Sequence, residues 1–413
     1  MTIGIHGSFV FEGAPESCRI ALVLHHRLYR VQDRYYGDMP NLLDLILALN
    51  EQAGKVVLAV PSRRVDTPPG WMAELPRELE VVELPFYSSY FDLLRRSPAL
   101  LPALVRTVLP RLREWDLVGG VAPSGFGLVV AVLARLRGKP AFLCIRGNVL
   151  ASLAGEQSHS RARRWLVMGA MWPLDAITRV LIAAGMPAFT FGPALAKRYR
   201  GPRVHVLNGY ARSSLLGNTC QQLPASEEAL QRLLYVGRLT GEKGVDVLLR
   251  ALNIVVQTHS QVHLKIIGDG IERDTLLALV DELELQQHVT FVRYVHDPTR
   301  LRELYLDAGI VVLPSRTEGV PAVALEAMAF GRAVVATRVG GLPSVIKDRE
   351  TGLLVPPDDP AALASAIERL ISNPDVALHL AAQAAGQHGA HDADSEAADM
   401  LRHMLGAPAP TPG

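Results

Sequence analysis

The sequence predicts an α/β protein built from two doubly wound parallel sheets. Short apolar runs alternate with helical segments on both sides of a polar, turn-rich region around position 220. Such runs are typical of strands buried on both faces, and the helices between them supply parallel crossovers. The chain of 413 residues is long enough for two such domains. Ligands of these sheets bind beyond the carboxyl ends of the strands.

The first alternation opens with a strand, followed by a polar loop that runs through Gly37 and then a helix near 41–53. The uncharged stretch 117–134 has the length of a membrane span, but Pro123 and Gly125 interrupt it. A strand, a turn and a buried helix therefore explain it better. The predicted strands of this domain are 19–24, 55–60, 81–84, 117–120 and 141–145.

The second alternation is more regular than the first. Asn208 and Gly209 form a turn signal, and small and turn-forming residues crowd the region that follows them. Its predicted strands are 233–236, 262–267, 289–292, 310–313, 333–336 and 352–355. The predicted segments are a first domain over 1–210, a linker over 211–231, a second domain over 232–385, a C-terminal helix within 386–406 and a disordered tail over 407–413. Whether the C-terminal helix packs back on the first domain stays open.

Composition narrows the class of protein. A net charge of +1 and a hydrophobic content of 49% argue against a nucleic-acid-binding protein. Cys18, Cys144 and Cys220 are odd in number and lack metal-ligand spacing, which favours a reduced compartment. Because the start of the chain has no signal-peptide pattern, we expect a cytoplasmic protein. The histidines and carboxylates show no metal-binding cluster, so we expect no metal.

Two glutamates, Glu318 and Glu326, frame a turn between an apolar strand at 309–314 and a helix at 325–330. Pro321 suits the first helical position, where its missing N–H costs nothing. The free N–H groups of a first helical turn bind phosphate. A carboxylate on each side of a phosphate site suits a ligand with hydroxyls at both ends, such as a nucleotide-sugar. The other residues of this turn are Gly319, Val320 and Ala322.

A second loop places two cations after a strand. Arg238 and Lys243 lie in the segment 237–244, which has a glycine at each end. A diphosphate leaving group needs positive charge; arginine offers a fork to phosphate oxygens and lysine a compact charge. A solvated basic loop is the competing interpretation.

Together these motifs resemble the signature of the retaining glycosyltransferases of the GT-B fold, family four, also called group one. The match extends over most of residues 231–375, including a Glu-Ala-Met-Ala helix and the strand-like 333–337. The resemblance implies two Rossmann-like domains facing across a cleft. It also implies metal-independent transfer of a hexosyl group from a UDP- or GDP-sugar to an acceptor hydroxyl, with retention at the anomeric carbon. Relatives most often act in cell-surface polysaccharide, glycolipid or glycoside biosynthesis.

The resemblance implies roles for the four charged residues. Arg238 and Lys243 would grip the donor pyrophosphate, Glu318 would contact the transferred sugar, and Glu326 would bind the ribose hydroxyls. The competing interpretations are a helix-start carboxylate for Glu318 and an ordinary solvated helix glutamate for Glu326.

Other positions correspond less closely to the family. Gly268 and Gly270 would line the nucleobase side of the site, and Arg293 and Tyr294 match the base-contacting loop, with Arg293 where glycine is common. The first domain differs most, because Arg146-Gly147-Asn148 stands where the family often has a histidine and only Gly37 represents the usual glycine pair. We assign Gly37, Arg146 and Asn148 to the substrate site, while a structural role for Arg146 stays open.

Two further interpretations accompany this assignment. The stretch 161–168 is either a surface helix whose apolar side is core, or a peripheral contact with an anionic inner-membrane face through Arg161, Arg163 and Arg164. A catalytically silent nucleotide-sugar-binding subunit is the alternative to an enzyme. A nicotinamide-dependent enzyme is not favoured, because a full glycine fingerprint and a Tyr-x-x-x-Lys helix are missing.

Overall fold

The structure, a computed structural model, describes residues 18–37, 39–69, 72–147, 161–207, 209–211, 215, 227–295, 297–319, 322–387 and 393–405. Contacts divide the chain into two compact units. The first holds the described residues from Cys18 to Leu207 together with a helix at Ala393–Leu405. The second holds those from Gly209 to Gln387.

The first unit is a sheet with helices packed on it. Its parallel strands lie in the order β6-β4-β1-β7-β8-β9-β10, and a small antiparallel extension, β2-β3-β5, joins the far end of β4. The strands are β1 Cys18–Val23, β2 Leu28–Val31, β3 Arg34–Gly37, β4 Gly54–Arg64, β5 Ala73–Glu74, β6 Glu80–Leu84, β7 Leu117–Ala122, β8 Ala141–Ile145, β9 Ala188–Phe191 and β10 Val204–Leu207. The helices are α1 Pro40–Ala53, α2 Tyr90–Arg111, α3 Gly125–Leu136, α4 Arg161–Ala183, α5 Pro193–Arg198 and, numbered in chain order, α14 Ala393–Leu405.

The polar loop predicted after β1 is wrong, because most of that segment is a β-hairpin. Strands β2 and β3 pair antiparallel, with Tyr29 opposite Tyr36. Aromatic residues stabilise such cross-strand pairs, and they outweigh the charged residues that suggested a loop. Gly37 pairs with Ala73 of β5, and a Cβ at Gly37 would meet the side chain of Leu28. Packing within the hairpin is therefore sufficient to explain this glycine.

The strand, turn and helix predicted for the uncharged stretch 117–134 are confirmed. Strand β7 is buried along its length, and the helix that follows is largely buried. Ser124 joins the two, since its Oγ accepts a hydrogen bond from the Gly127 N–H at 3.2 Å and donates to the Val121 carbonyl at 2.6 Å. An N-cap of this kind satisfies a donor that the first helical turn leaves free.

The second unit is a single parallel sheet of six strands in the order β13-β12-β11-β14-β15-β16. Successive residues of a strand pack on opposite faces: Ile310 and Val312 belong to one core cluster, Val311 and Leu313 to the other. The strands are β11 Arg232–Val236, β12 His263–Ile267, β13 Val289–Val292, β14 Ile310–Leu313, β15 Ala333–Thr337 and β16 Leu353–Val355. The helices are α6 Glu227–Leu230, α7 Val245–Val255, α8 Arg273–Glu282, α9 Pro298–Asp307, α10 Ala322–Ala329, α11 Leu342–Val345, α12 Pro360–Ser372 and α13 Pro374–Gln387.

The strand order of the second sheet reverses between β11 and β14, so the loops after these two strands meet. Ligands of doubly wound sheets bind at such a switch point. Gly244 marks the contact: its φ is 65°, and a Cβ there would lie 2.1 Å from the carbonyl oxygen of Pro314. Only glycine fits this backbone approach without strain.

We expect Gly244→Ala to lower the free energy of unfolding of the second unit by at least about 2 kcal/mol. The cost of a left-handed backbone conformation and the cost of a clash between the new Cβ and the backbone add to each other. Urea denaturation measures this loss.

Gly386→Ala is the matched control, because Gly386 lies in α13 with open space around the position of its missing Cβ. Alanine there should raise stability by up to about 0.5 kcal/mol, as in other exposed helices. Equal effects of the two substitutions would contradict the close approach at Gly244.

Candidate active site

The carboxyl edge of the second sheet carries a lysine–glutamate pair at the switch point. Lys243 ends the 3-10 turn Gly241–Lys243 after β11, and Glu318 lies in the loop after β14. The Lys243 Nζ lies 2.6 Å from the Glu318 Oε2, and their side chains are only 18% and 13% exposed. The Ser315 Oγ donates to the same oxygen at 2.9 Å. This arrangement places an ammonium and a carboxylate in a partly enclosed position.

Arg316 fastens the two loops that carry this pair. Its guanidinium binds both carboxylate oxygens of Asp246 at 2.8 Å, the Asp358 Oδ1 at 2.6 Å and the Gly241 carbonyl at 2.6 Å. Its backbone N–H donates to the Glu242 carbonyl at 2.8 Å. The sequence analysis missed Arg316. The sequence feature that could have indicated Arg316 is its position as a cation next to the glutamate motif. Its pairing with Asp246, 70 residues earlier, cannot be predicted from sequence spacing.

Glu326 lies in the interior of the second unit. It is a residue of α10 with no exposed surface, and its Oε2 accepts a hydrogen bond from the Tyr305 hydroxyl at 2.7 Å. The Tyr305 ring stacks on Phe330 with centroids 5.2 Å apart. A solvated helix glutamate is therefore excluded. The binding of ribose hydroxyls stays a prediction, and Tyr305 is a partner that the sequence analysis did not find.

Arg238 and Lys243 occupy different environments. The Arg238 side chain is 63% exposed and pairs with Glu242 at 3.2 Å, whereas Lys243 is enclosed with Glu318. The buried Tyr235 fixes the backbone of this loop, because its hydroxyl donates to the Arg238 carbonyl at 2.9 Å. An exposed guanidinium in a screened pair can exchange its partner for a ligand phosphate at little cost.

The predicted nucleobase side follows β12 and β13. Gly268 has a φ of 149°, and a Cβ there would lie 1.9 Å from the Gly237 carbonyl oxygen, so the loops after β11 and β12 touch through their backbones. Gly270 follows in the same loop. After β13, Arg293 is exposed and Tyr294 is half-buried. The contacts of these residues with a base stay predictions.

The glutamate-framed turn is described in part. The Gly319 carbonyl accepts a hydrogen bond from the Gly341 N–H at 2.9 Å, which links the loops after β14 and β15. Ala322 is buried at the start of α10. Val320, Pro321 and Asn148 lie outside the described residues.

The first unit has its own polar cluster at the carboxyl edge, near its switch point between β1 and β7. Arg146 follows β8 and lies over the Phe191 ring, 5.3 Å from its centroid. His25 follows β1 and stacks on His26 at 4.7 Å. Burial, together with the charges of Arg146 and Arg27, lowers the pKa of His25 to about 4. This edge therefore presents a neutral imidazole beside a guanidinium at neutral pH, which the sequence analysis anticipated only for Arg146.

Among the residues that the structure describes, no group of three or more histidines, cysteines or carboxylates is arranged to hold a metal ion. The positive charges that the described residues place at this edge of the second unit include Lys243, Arg238 and Arg316. Independence from metal stays a prediction.

A six-stranded parallel sheet in this order, with glycine-rich loops and paired charges at its switch point, defines a domain of the Rossmann-like class. The comparisons with known proteins support the predicted resemblance. Residues 222–387 match the family described as glycosyl transferases group 1. The predicted resemblance is confirmed over this part of the chain, which lies in the second unit.

One relative is the D-inositol 3-phosphate glycosyltransferase of Corynebacterium urealyticum, 37% identical over 163 residues, which are 38% of this chain and 38% of that protein. The match thus spans well under half of the relative's length. The fold resembles sucrose-phosphate synthase from Thermosynechococcus elongatus, with a TM-score of 0.72, 22% identity, and coverage of 95% of this chain and 100% of that one. It also resembles Anabaena HepE in complex with UDP-glucose, with a TM-score of 0.64, 17% identity, and coverage of 93% and 99%. The predicted GT-B fold class is confirmed by these likenesses.

Arg316 and Asp246 supply a pH-dependent test of the loop clamp. Partial burial acts to raise the pKa of Asp246, but the hydrogen bonds and charge of Arg316 outweigh it and lower that pKa overall. The clamp should therefore stabilise the fold above about pH 4 and lose its effect as the pH falls through the lowered pKa. We expect a coupling free energy of about 0.5–1 kcal/mol at pH 7, since both groups reach solvent.

A double-mutant cycle of Arg316→Gln and Asp246→Asn, followed by urea denaturation between pH 7 and pH 2, measures this coupling. The coupling should vanish at the acid end. A coupling that is equal at both ends of the range would contradict the ion pair.

Proposed function

We propose that this protein is a glycosyltransferase that moves a sugar from a nucleotide-sugar to an acceptor hydroxyl, with retention of configuration at the anomeric carbon. In this reaction the bond between the anomeric carbon and the donor phosphate oxygen breaks. A bond from the acceptor oxygen to the same carbon forms on the same face of the sugar. The acceptor proton passes to the departing diphosphate, so no separate general base is required.

The observation that carries the proposal is the pair of Lys243 and Glu318 at the switch point. Negative charge grows on the diphosphate as it departs, and an ammonium held there stabilises the transition state more than the ground state. When Lys243 turns to the phosphate, Glu318 is released to accept hydrogen bonds from sugar hydroxyls. When the donor binds, the phosphate thus replaces Glu318 as the partner of Lys243, and the sugar hydroxyls replace Lys243 as the partner of Glu318.

Arg238 and Glu326 complete the proposed donor site. Arg238 is exposed enough to reach a second phosphate oxygen with its fork of donors. Glu326 would accept the ribose hydroxyls after exchanging its bond from Tyr305. A carboxylate that already receives one hydroxyl is oriented to receive another.

The proposed donor is a UDP- or GDP-sugar, and the proposed site needs no metal. The likeness to HepE, solved with UDP-glucose, supports a uridine nucleotide. For the acceptor we propose a cell-surface glycan, a glycolipid or a small glycoside, as in group 1 relatives. Within the first unit, Arg146 and the neutral His25 at the edge of the sheet are the residues that we propose to bind the acceptor.

Lys243→Gln should lower kcat by about a hundredfold or more, since a charge that acts on the departing group is lost. KM for the donor should change much less. Release of nucleoside diphosphate, followed with a confirmed substrate pair, measures both constants.

Lys265→Gln is the control, because Lys265 also pairs with a carboxylate, Asp307 at 3.0 Å, but lies within β12. It should leave kcat unchanged. Equal turnover in Lys243→Gln and wild type would remove Lys243 from the mechanism.

Thermal unfolding with UDP, GDP, ADP and dTDP should identify the nucleotide. One nucleotide at about 100 times its Kd should add roughly 2.7 kcal/mol to the stability of the second unit. Glu326→Ala should abolish the added stability. Tyr305→Phe should keep it, because this variant removes the competing hydrogen bond but leaves the carboxylate. No shift with any nucleotide would argue for a degenerate site or for one that only the acceptor completes.

A further inference from the structure

A cleft of about 140 Å³ lies at the amino edge of the first sheet. It is lined by residues at the starts of strands β7 to β10 and by the last turn of α14, all of which belong to the first unit. His25 and Arg146 follow the ends of β1 and β8. Because these strands are parallel, the cleft lies at the opposite edge of the sheet from the two residues proposed to bind the acceptor.

A row of aromatic rings forms one wall of the cleft and joins the sheet to α14. The Phe142 and Phe189 rings lie edge to face with centroids 5.5 Å apart, and the Phe189 and His205 centroids are 5.6 Å apart. The His205 and His403 centroids are 3.9 Å apart. We call these four residues the ring wall. A further flat ring can pack against such a wall.

The two imidazoles of the ring wall are uncharged at neutral pH. Partial burial, followed by the charge that His403 gains on protonation, lowers the pKa of His205. Partial burial, followed by the charge of Arg402, lowers the pKa of His403. Since histidine ordinarily titrates near pH 6.5, both rings are neutral at pH 7. The ring wall therefore behaves as an apolar surface.

Arg203 adds positive charge to the cleft. Among the described residues that line it, Arg203 alone carries a permanent charge. The Ala188 N–H donates to its carbonyl at 2.9 Å, which fixes its backbone beside the start of β9. Burial and then the charge of Arg203 lower the pKa of Arg135 in α3, so a second guanidinium lies nearby. A guanidinium fork matches a carboxylate.

We propose that this cleft binds a small aromatic carboxylate, with the ring of the ligand against the ring wall and its carboxylate on Arg203. The volume suits one ring, since an apolar cavity of about 150 Å³ in another protein holds benzene. Apolar walls with a single well-placed charge are usual for small-molecule sites. The proposal is independent of the proposed transfer reaction, because the cleft lies at the other edge of the sheet.

The position of the cleft gives this ligand a structural effect. His403 and Met404 of α14 line one side of the cleft, and His205 of β10 lines another. A ligand between them binds only while α14 is in place on the first unit. By mass action, such a ligand stabilises the packed position of α14.

Ligand-detected NMR on the intact chain tests the proposal, with benzoate as the probe. Benzoate should bind with a Kd of about 1 mM or lower, as is usual for good ligands of this size. Benzamide keeps the ring but lacks the charge, and acetate keeps the charge but lacks the ring. Each should bind at least about tenfold more weakly than benzoate, because one of the two contributions is lost.

Arg203→Gln tests the charge. It should weaken benzoate binding at least about tenfold and leave the affinity for benzamide unchanged, because only the charged hydrogen bonds are lost. Arg250→Gln is the control, since Arg250 is an exposed arginine of α7 in the second unit. This control changes net charge equally and should bind benzoate as wild type does.

Two substitutions of His403 test the ring wall. His403 is exposed, so neither removes a core residue. His403→Ala shortens the wall and should weaken benzoate binding about fivefold or more, whereas His403→Phe keeps a ring and should bind within about twofold of wild type. Benzoate should also slow amide hydrogen exchange in α14 of wild type and His403→Phe, and much less in His403→Ala.

Any of three results would overturn the proposal. One is the absence of saturable benzoate binding to the folded wild type. Another is equal affinity for benzoate and for acetate or benzamide, which would reveal a contact selective only for anions or only for rings. The third is equal benzoate affinity in Arg203→Gln and Arg250→Gln, which would place the ligand elsewhere. Circular dichroism of every variant checks that the fold is intact.

Discussion

The candidate site depends on the contacts that the Arg316 guanidinium makes between its two loops. A parallel sheet brings the loops after β11 and β14 to one edge, but it does not fix their conformations. Arg316 does so by binding Asp246 and Asp358 through their carboxylates and Gly241 through its carbonyl. Its neighbour Ser315 then orients Glu318, and the Thr337 hydroxyl donates to the Ser315 carbonyl at 2.5 Å. The Lys243–Glu318 pair is thus held by loops that follow three adjacent strands, β11, β14 and β15.

The same edge shows why its charges come in pairs. An isolated ammonium in an enclosed position would lose hydration without compensation, and the same holds for a carboxylate. Lys243 and Glu318 satisfy each other, and Tyr305 satisfies Glu326. In the proposed donor complex, phosphate and hydroxyl groups of the ligand would replace these partners one by one. The same contacts would then serve both the stability of the fold and the preorganisation of the proposed site.

The sequence predicted the second unit far better than the first. Its strands β14, β15 and β16 are apolar runs in which every residue is buried, and local pattern alone identifies such strands. The site motifs were found for the same reason, since Glu318 and Lys243 each follow such a strand. Contacts between segments distant in sequence were not predicted: the pairing of Arg316 with Asp246 and the bond from Tyr305 to Glu326 depend on which loops meet.

Two predictions failed or stayed open in the first unit for physical reasons. The charges around Gly37 suggested a loop, yet cross-strand pairing of Tyr29 with Tyr36 stabilises a hairpin. For the stretch 161–168, the sequence pattern shows that one face of a helix is apolar, but not which face meets the protein. The structure shows that Asp175 is bonded on the inward face of α4, where Val167 and Met171 are also buried, while Leu166 is exposed. The membrane contact stays a prediction.

Helix α14 has a consequence for how the chain is made. It packs against α1, and the Gln52 side-chain amide donates to the Asp394 carbonyl at 3.0 Å across a separation of 342 residues. During synthesis the whole second unit leaves the ribosome before α14 does. The second unit can therefore complete its sheet first, while the surface of α1 that α14 covers stays open until translation has passed residue 405. For this protein the usual order, in which the N-terminal domain folds first, is reversed for the final step.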